Sequence, residues 1–315
     1  MFDATSFRLL NSWQRGFPLV PRPFAEIAGT CGLDEDDVIC RFGQLLQRGL
    51  IDRIGPVFRP NTVGASTLAA MAVPPERLQA VARQVSSHAG VNHNYERENR
   101  TNLWFVATAQ SDAALQWTLA CIEHETGLPV LRLPLLEEFH IDLGFDLEDH
   151  SVPREPQPGP VAPLSEPDRR LAARVAEGLP LEPRPFAAYA LPEAEVIATL
   201  QHWLDSGVIR RIGAVVRHRR LGYEANAMVV WDVPDAGAGD AGRRLGADPA
   251  VSLCYRRARA LPEWPYNLYC MVHGRERASV TQSIERLCTQ HGLGKVPRAV
   301  LFSKRCFSQR AARYG

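Results

Sequence analysis

The sequence predicts an α+β protein built as a tandem duplication, each copy a winged helix-turn-helix followed by a ferredoxin-like β-α-β-β-α-β domain. Three observations predict it. The chain repeats its own motifs at an offset of about 160 residues. The first part of each copy shows helical periodicity broken by a turn. The second part alternates strand-like and helix-like segments.

The repeat is explicit. Leu19-Val-Pro-Arg-Pro-Phe24 returns as Leu181-Glu-Pro-Arg-Pro-Phe186, and Leu50-Ile-Asp-Arg-Ile-Gly-Pro-Val-Phe-Arg59 as Val208-Ile-Arg-Arg-Ile-Gly-Ala-Val-Val-Arg217. Val91-Asn-His-Asn-Tyr-Glu-Arg97 returns as Val251-Ser-Leu-Cys-Tyr-Arg-Arg257, and Asn102-Leu-Trp104 as Asn267-Leu-Tyr269. Between the copies, Ser151–Pro163 carries five prolines, which cannot sustain a helix or a central strand, so a stiff extended linker is expected. The expected domains are residues 1–60 and 61–148 for the first copy, a linker at 149–164, then 165–220 and 221–315.

In the first copy Pro23 opens a short helix and Cys31-Gly-Leu33 makes a turn. Asp34 caps a second helix through Gln47, with Val38, Phe42, Leu45 and Leu46 on one face. Gly49 ends it and Ile51–Phe58 starts a β-wing. The second copy lacks four residues around Ala190-Leu191, which predicts a shortened first helix and turn. The ferredoxin-like order then reads Ala65–Val73 as strand, Pro75–His88 as helix, Val91–Arg97 and Asn102–Thr108 as a hairpin, Asp112–Glu125 as helix and Val130–Leu136 as strand. Its counterparts are Asn226–Val233, Ala241–Gly246, Val251–Arg257, Tyr266–His273, Ala278–His291 and Lys295–Phe302.

Composition narrows the class. Apolar residues make up 45% and charged residues 23% of 315, ordinary for a globular protein. No apolar run approaches the ~20 residues of a membrane span. The start, Met1-Phe2-Asp3-Ala4-Thr5, lacks a signal-peptide pattern, so a cytoplasmic location is expected. Seven scattered cysteines without a Cys-x-x-Cys pair argue against a disulfide framework and a zinc site. Residues 1–150 hold 12 basic and 19 acidic side chains, net −7, and residues 151–315 hold 24 and 16, net +8. Opposite signs predict halves that attract, the basic one suited to an anionic ligand.

Period-2 alternation places Leu103, Phe105 and Ala107, and likewise Leu268, Cys270 and Val272, towards the helices. The opposite face then carries Asn102, Trp104 and Val106 in one copy and Asn267, Tyr269, Met271 and His273 in the other. His93, Tyr95 and Arg97 share that face, as do Leu253, Tyr255 and Arg257. A flat aromatic and basic surface suits a flat polyanionic macrocycle. Aromatics stack on the ring, arginine forks its carboxylates and a neutral histidine can ligate iron. The alternative is that the two faces bury each other.

On these residues the chain resembles the siroheme decarboxylases, a family with the architecture of the leucine-responsive (Lrp/AsnC) regulators, and in particular its fused D–L form. The first copy carries Val91–Arg97, Asn102-Leu-Trp-Phe105 and Phe139-His-Ile-Asp-Leu-Gly-Phe145, similar to the D-type. The second carries Leu253-Cys-Tyr-Arg-Arg257, Trp264-Pro-Tyr-Asn-Leu-Tyr-Cys-Met-Val-His-Gly274 and Leu301-Phe-Ser-Lys-Arg305, similar to the L-type. The family tends to read Glu-His-Arg-Phe-Asn where this chain has Glu98-Asn-Arg-Thr-Asn102. Asn99 thus stands in place of a histidine, which directs the expected chemistry to the second copy.

The resemblance implies that the acetate side chains at C12 and C18 of siroheme become methyl groups in haem d1 biosynthesis, a step that serves denitrification. No added cofactor is implied, and the iron belongs to the substrate. His273, Tyr255, Arg257 and His93 are the candidates for chemistry, with His273 or His93 as acid or as iron ligand. Arg256, Trp264, Tyr266, Asn267, Tyr269, Met271, Tyr95, Arg97, Asn102, Trp104, His140 and Lys304 are the candidates for holding the substrate, Lys304 at roughly the place of His140. Companion subunits of the same family and a homo-oligomer are the expected partners. Two rival classes remain: a DNA-binding regulator and a non-catalytic tetrapyrrole carrier. Against the first, the recognition helices open Asp34-Glu-Asp-Asp37 and Glu193-Ala-Glu195, carboxylates where phosphates would lie.

Overall fold

The structure, a computed structural model, describes residues 3–141, 144, 147, 161 and 164–314. The expected linker at 149–164 lies outside the described residues apart from Val161 and Leu164, as do Asp142, Leu143 and Phe145 of the first-copy string. In chain order the elements are α1 (Ala4–Ser12), α2 (Pro23–Cys31), α3 (Glu35–Gln47), β1 (Ile51–Phe58), β2 (Ala65–Met71), α4 (Leu78–Ser87), β3 (Val91–Arg97), β4 (Leu103–Ala109), α5 (Asp112–Thr126), β5 (Leu131–Leu133) and β6 (Leu135–Ile141). The second copy follows with α6 (Glu166–Ala176), α7 (Glu193–Asp205), β7 (Ile209–Val216), β8 (Ala225–Trp231), α8 (Asp235–Gly246), β9 (Leu253–Arg257), β10 (Leu268–Gly274), α9 (Arg277–Gln290) and β11 (Arg298–Gln309). They form two compact units, one of helical halves (residues 1–64 and 154–221) and one of sheet domains (65–153 and 222–315).

In the helical unit, α3 buries Val38, Phe42 and Leu45, as its 3.6-residue spacing dictates. The deletion in the second copy has the expected consequence, because a four-residue 3-10 turn, Pro185–Ala188, replaces the nine-residue α2. Two helices went unread in the sequence. Asp3 caps α1 by accepting from the Ser6 amide at 2.7 Å, and Ser165 caps α6 by accepting from the Asp168 amide at 3.3 Å. The wing also differs from expectation. It is no hairpin within a copy; β1 pairs antiparallel with β7, so each copy supplies one strand of a shared ribbon.

That ribbon explains the repeated Ile-Gly. Gly55 and Gly213 sit opposite each other in register. A Cβ on Gly213 would strike the carbonyls of Trp13 and Gln14 just past α1, and one on Gly55 would crowd the Val175 carbonyl in α6 at 3.3 Å. Only glycine lets the helix ends cross this closely. Gly213→Ala is expected to lower stability by about 1–3 kcal/mol, read as a drop in the urea midpoint; an unchanged midpoint would show that the crossing is loose.

In the sheet unit the strands run β5-β2-β4-β3-β11-β8-β10-β9-β6. Each copy keeps the ferredoxin-like order, and the last strand of each leaves its own sheet to extend the other's. β11 pairs with β8 through Arg298–Phe302 and then with β3 of the first copy through Ser303–Gln309. Pro134, which has no N–H for a ladder, separates β5, paired with β2, from β6, paired with β9 of the second copy. Among the described residues, ion pairs between the copies have one polarity. Glu96 meets Lys304 (3.1 Å) and Arg305 (3.7 Å), Glu98 meets Arg277 (2.7 Å) and Glu137 meets Arg256 (3.4 Å). In the helical unit Asp52 meets Arg217 at 2.6 Å. The acid comes from the first copy and the base from the second, as the charge asymmetry predicts. Each such pair adds little stability but selects the partner.

Candidate functional site

The helix-facing residues are those that alternation assigns: Leu103, Phe105 and Ala107 join the core under α4 and α5, and Leu268, Cys270 and Val272 the core under α8 and α9. The opposite faces do not present an open platform. Leu68, Ala70, Trp104 and Leu133 of the first copy pack with Met228, Val230, Tyr255, Trp264, Tyr269, Met271 and Leu301 of the second in one closed cluster. Trp104 meets Trp264 edge-on with centroids 4.9 Å apart, and Tyr255 stacks on Tyr269 at 5.6 Å. The Trp264 indole N–H donates to the Tyr269 hydroxyl at 2.8 Å, and that of Trp104 to the Thr101 carbonyl at 2.7 Å. Trp104, Trp264, Tyr269, Met271 and Tyr255, expected on a ligand-stacking surface, are therefore core, because burying two apolar faces releases more water than leaving both exposed.

Asn102 and Asn267 have matching backbone partners. Asn102 accepts from the Val73 amide at 3.0 Å and donates to the Val73 carbonyl at 2.8 Å. Asn267 does the same at Val233, at 3.0 and 2.9 Å, and donates to Asp235. Their amides pin the end of the first strand of each domain and satisfy its backbone groups.

The arginines that end β3 and β9 latch one copy to the other. Arg97 donates to the Leu301 carbonyl at 3.2 Å and approaches the Met271 sulfur at 3.9 Å. Arg257 donates to the Leu133 carbonyl at 2.7 Å, and its guanidinium lies 4.5 Å from the centre of the Tyr255 ring. Arg97 is buried and Arg257 keeps part of its surface.

Arg97 of the first copy thereby reaches His273 of the second. His273 stands on β10 opposite Asn226 of β8, whose Oδ1 accepts from Ser303 of β11. Its Nδ1 lies 2.8 Å from the Ser252 hydroxyl. His273 is partly exposed, yet burial first and the Arg97 charge second push its pKa down to about 4 from 6.5. The imidazole is neutral at pH 7. Between those values the unfolded chain binds the proton and the folded chain does not. Stability from this site is therefore full above about pH 6.5 and lost as pH falls towards 4. His273→Gln should flatten the urea midpoint across that range relative to the parent, and parallel curves would refute the shift.

A siroheme decarboxylase NirDL-like helix-turn-helix domain matches residues 7–51 and 168–210, and an AsnC-like ligand binding domain matches 63–140 and 220–308. The siroheme decarboxylase NirDL subunit of Paracoccus denitrificans is 43% identical over 318 residues, covering 98% of this chain and 97% of that protein. The chain belongs to the siroheme decarboxylase family. A crystal structure of the siroheme decarboxylase NirDL superposes with a TM-score of 0.69 at 28% identity, over 98% of this chain and 93% of that one. The same fit holds for NirDL in complex with an iron-uroporphyrin III analogue. The siroheme decarboxylase NirD subunit of Pseudomonas aeruginosa is 50% identical across 46% of this chain and 97% of its own length, so one copy here matches a whole separate subunit there.

The remaining candidates of this siroheme decarboxylase family member are dispersed. His93 and Tyr95 are partly exposed on β3; the His93 Nδ1 lies 3.1 Å from Asn92 Oδ1, and Tyr95 donates to Gln309 at 3.1 Å. Tyr266 keeps partial exposure against Trp264. Arg256 faces Glu137, away from the closed cluster. His140 lies opposite Cys254 on β6, while Lys304 is exposed against Glu96. Register shows that these two are not counterparts: Glu137 opposite Arg256 corresponds to Arg305 opposite Glu96, which aligns His140 with Ser308. Ser252, Asn226 and Ser303, beside His273, escaped the sequence. Alternation within one strand does not reveal polar neighbours that β8, β11 and the residue just before β9 supply.

Proposed function

We propose that this protein is a siroheme decarboxylase that turns the C12 and C18 acetates of siroheme into methyl groups on the way to haem d1. Each step breaks one carbon–carboxylate bond, releases carbon dioxide and takes up one proton at the remaining methylene. The observation that carries this reading is family membership along the whole chain, both copies included, at 43% identity to a curated siroheme decarboxylase NirDL subunit. The iron-uroporphyrin III analogue held by the similar solved NirDL supports a tetrapyrrole as ligand.

Because the aromatic faces bury each other, the ring meets residues that keep exposure: His273, Tyr266, Arg257, His93 and Tyr95. Siroheme's eight carboxylates find counter-charges on the basic second copy. Removing water from the reacting carboxylate favours its departure as neutral carbon dioxide. We place the productive site in the second copy, around His273, without an added cofactor. No helix among the described residues is long and apolar enough to cross a membrane, which fits the cytoplasmic location proposed for this step. Companion subunits of the family and further copies of the chain are its proposed protein partners.

Anaerobic incubation with siroheme, followed by mass analysis of the pigment, tests the function. Loss of two carbon dioxide units is the expected result. Siroheme bound and recovered intact would make the protein a carrier instead. Operator-like duplexes are expected to bind weakly and without sequence preference, since Glu35, Asp36 and Asp37 open α3 and Glu193 and Glu195 open α7. Salt-sensitive nanomolar binding in a mobility-shift titration would reverse that expectation.

A further inference from the structure

We infer that the segment after β11, Arg310–Tyr314, is a strap that closes the first copy's counterpart of the His273 site, so that a molecule with two related ends takes one tetrapyrrole. The strap matters only on the reading that siroheme meets the protein at His273, and on that reading it allows one place per chain.

The repeat defines the counterpart. Thr108 follows Asn102 by six residues, as His273 follows Asn267, and each is the sixth residue of its strand, β4 or β10. Thr108 stands opposite Ser66 of β2, as His273 stands opposite Asn226 of β8. Asn92 likewise matches Ser252. The duplication therefore builds two ends of one design, and only the second copy's end has histidine at this strand position.

The exchange of last strands carries the segment into the other copy. β11 pairs with β3 as far as Gln309 opposite His93, and the Arg310 amide continues the line by donating to the Asn92 carbonyl at 2.9 Å. The Arg310 guanidinium anchors the segment. It donates to the Val91 carbonyl at 2.9 Å and, at the end of α4, to the Ser86 and His88 carbonyls at 3.0 and 2.7 Å. Further on, the Arg313 carbonyl lies 2.7 Å from the Thr108 hydroxyl, and the Gly90 carbonyl 3.2 Å from it. Both carbonyls only accept, so the hydroxyl is the donor and Arg313 the nearer acceptor. Thr108 is 3% exposed, whereas His273 keeps part of its surface. A macrocycle and the strap backbone cannot share the space beside Thr108.

Thiol labelling of Thr108→Cys, mapped by peptide mass, tests the closure without any tetrapyrrole. In the full chain, position 108 is expected to react at least about tenfold more slowly than the exposed Cys40. Ending the chain at Arg310 keeps the anchor and all of β11, and is expected to raise the rate at 108 at least about tenfold. Siroheme titration, followed by absorbance, tests the consequence in Thr108→His, which copies the histidine of the other end. The full-length variant should take up one siroheme per chain, like the parent, and the shortened variant two. A position 108 as reactive as Cys40 in the full chain, or two siroheme per full-length Thr108→His chain, overturns the strap. One siroheme in the shortened Thr108→His chain, shown folded by circular dichroism, overturns the two related ends. If the parent takes up none, the reading at His273 falls and the count of one per chain with it, while slow labelling at 108 still establishes the closure.

Discussion

His273→Ala is expected to slow single-turnover decarboxylation of siroheme at least about tenfold, and His93→Ala to slow it less. His273 sits where both copies contribute, with Ser252 and Asn226 from the second and Arg97 from the first. Losing one strong polar contact to a charged group costs about 1.5–3 kcal/mol, and about 1.4 kcal/mol is a factor of ten. His93 lies on β3 with its Nδ1 3.1 Å from Asn92 Oδ1, and its copy has asparagine at position 99 where the family tends to have histidine. Arg257→Ala should lose a similar factor, but it also cuts the latch to Leu133, so circular dichroism must first show that the variant folds. Loss of activity in His93→Ala, with His273→Ala near wild type, would move the site to the first copy.

Trp104→Ala is expected to be the most damaging single truncation, lowering stability by about 3–5 kcal/mol. Its side chain is 1% exposed and closes the contact between the sheet faces through Trp264. Removing it leaves a cavity that partners from two domains cannot both collapse into. Against a typical total of about 5–15 kcal/mol, that loss brings the fold near its limit. The control is Trp117→Ala on α5, 73% exposed, which should change stability by no more than about 0.5 kcal/mol. Urea unfolding measures both. Equal effects from the two tryptophans would mean that the sheet faces are not a packed core.

Much of the architecture was legible because it is written in local periodicity. The 3.6-residue face of α3, the alternation of β4 and β10 and the shortened Pro185–Ala188 turn each depend on a few neighbouring residues. The α1 and α6 helices are less legible: Asp3 and Ser165 supply ordinary caps, but the two helices share no recognisable repeated string. The candidate site was less legible. Arg97, Tyr255 and His273 were singled out by residue type. Whether each is a latch, a core ring or an exposed imidazole depends on which strand of the other copy lies opposite.

Sequence alone settled the duplication, the two-part copy, the charge polarity between copies and the family, since each is a property of residue order. The tertiary structure decided the rest: that β1 and β7 share one ribbon, that the last strand of each copy serves both sheets, and that the aromatic faces close on each other. The physical reason is that an apolar sheet face specifies burial but not its partner. The partner follows from long-range register, ion-pair polarity and Pro134, which act only once distant strands meet.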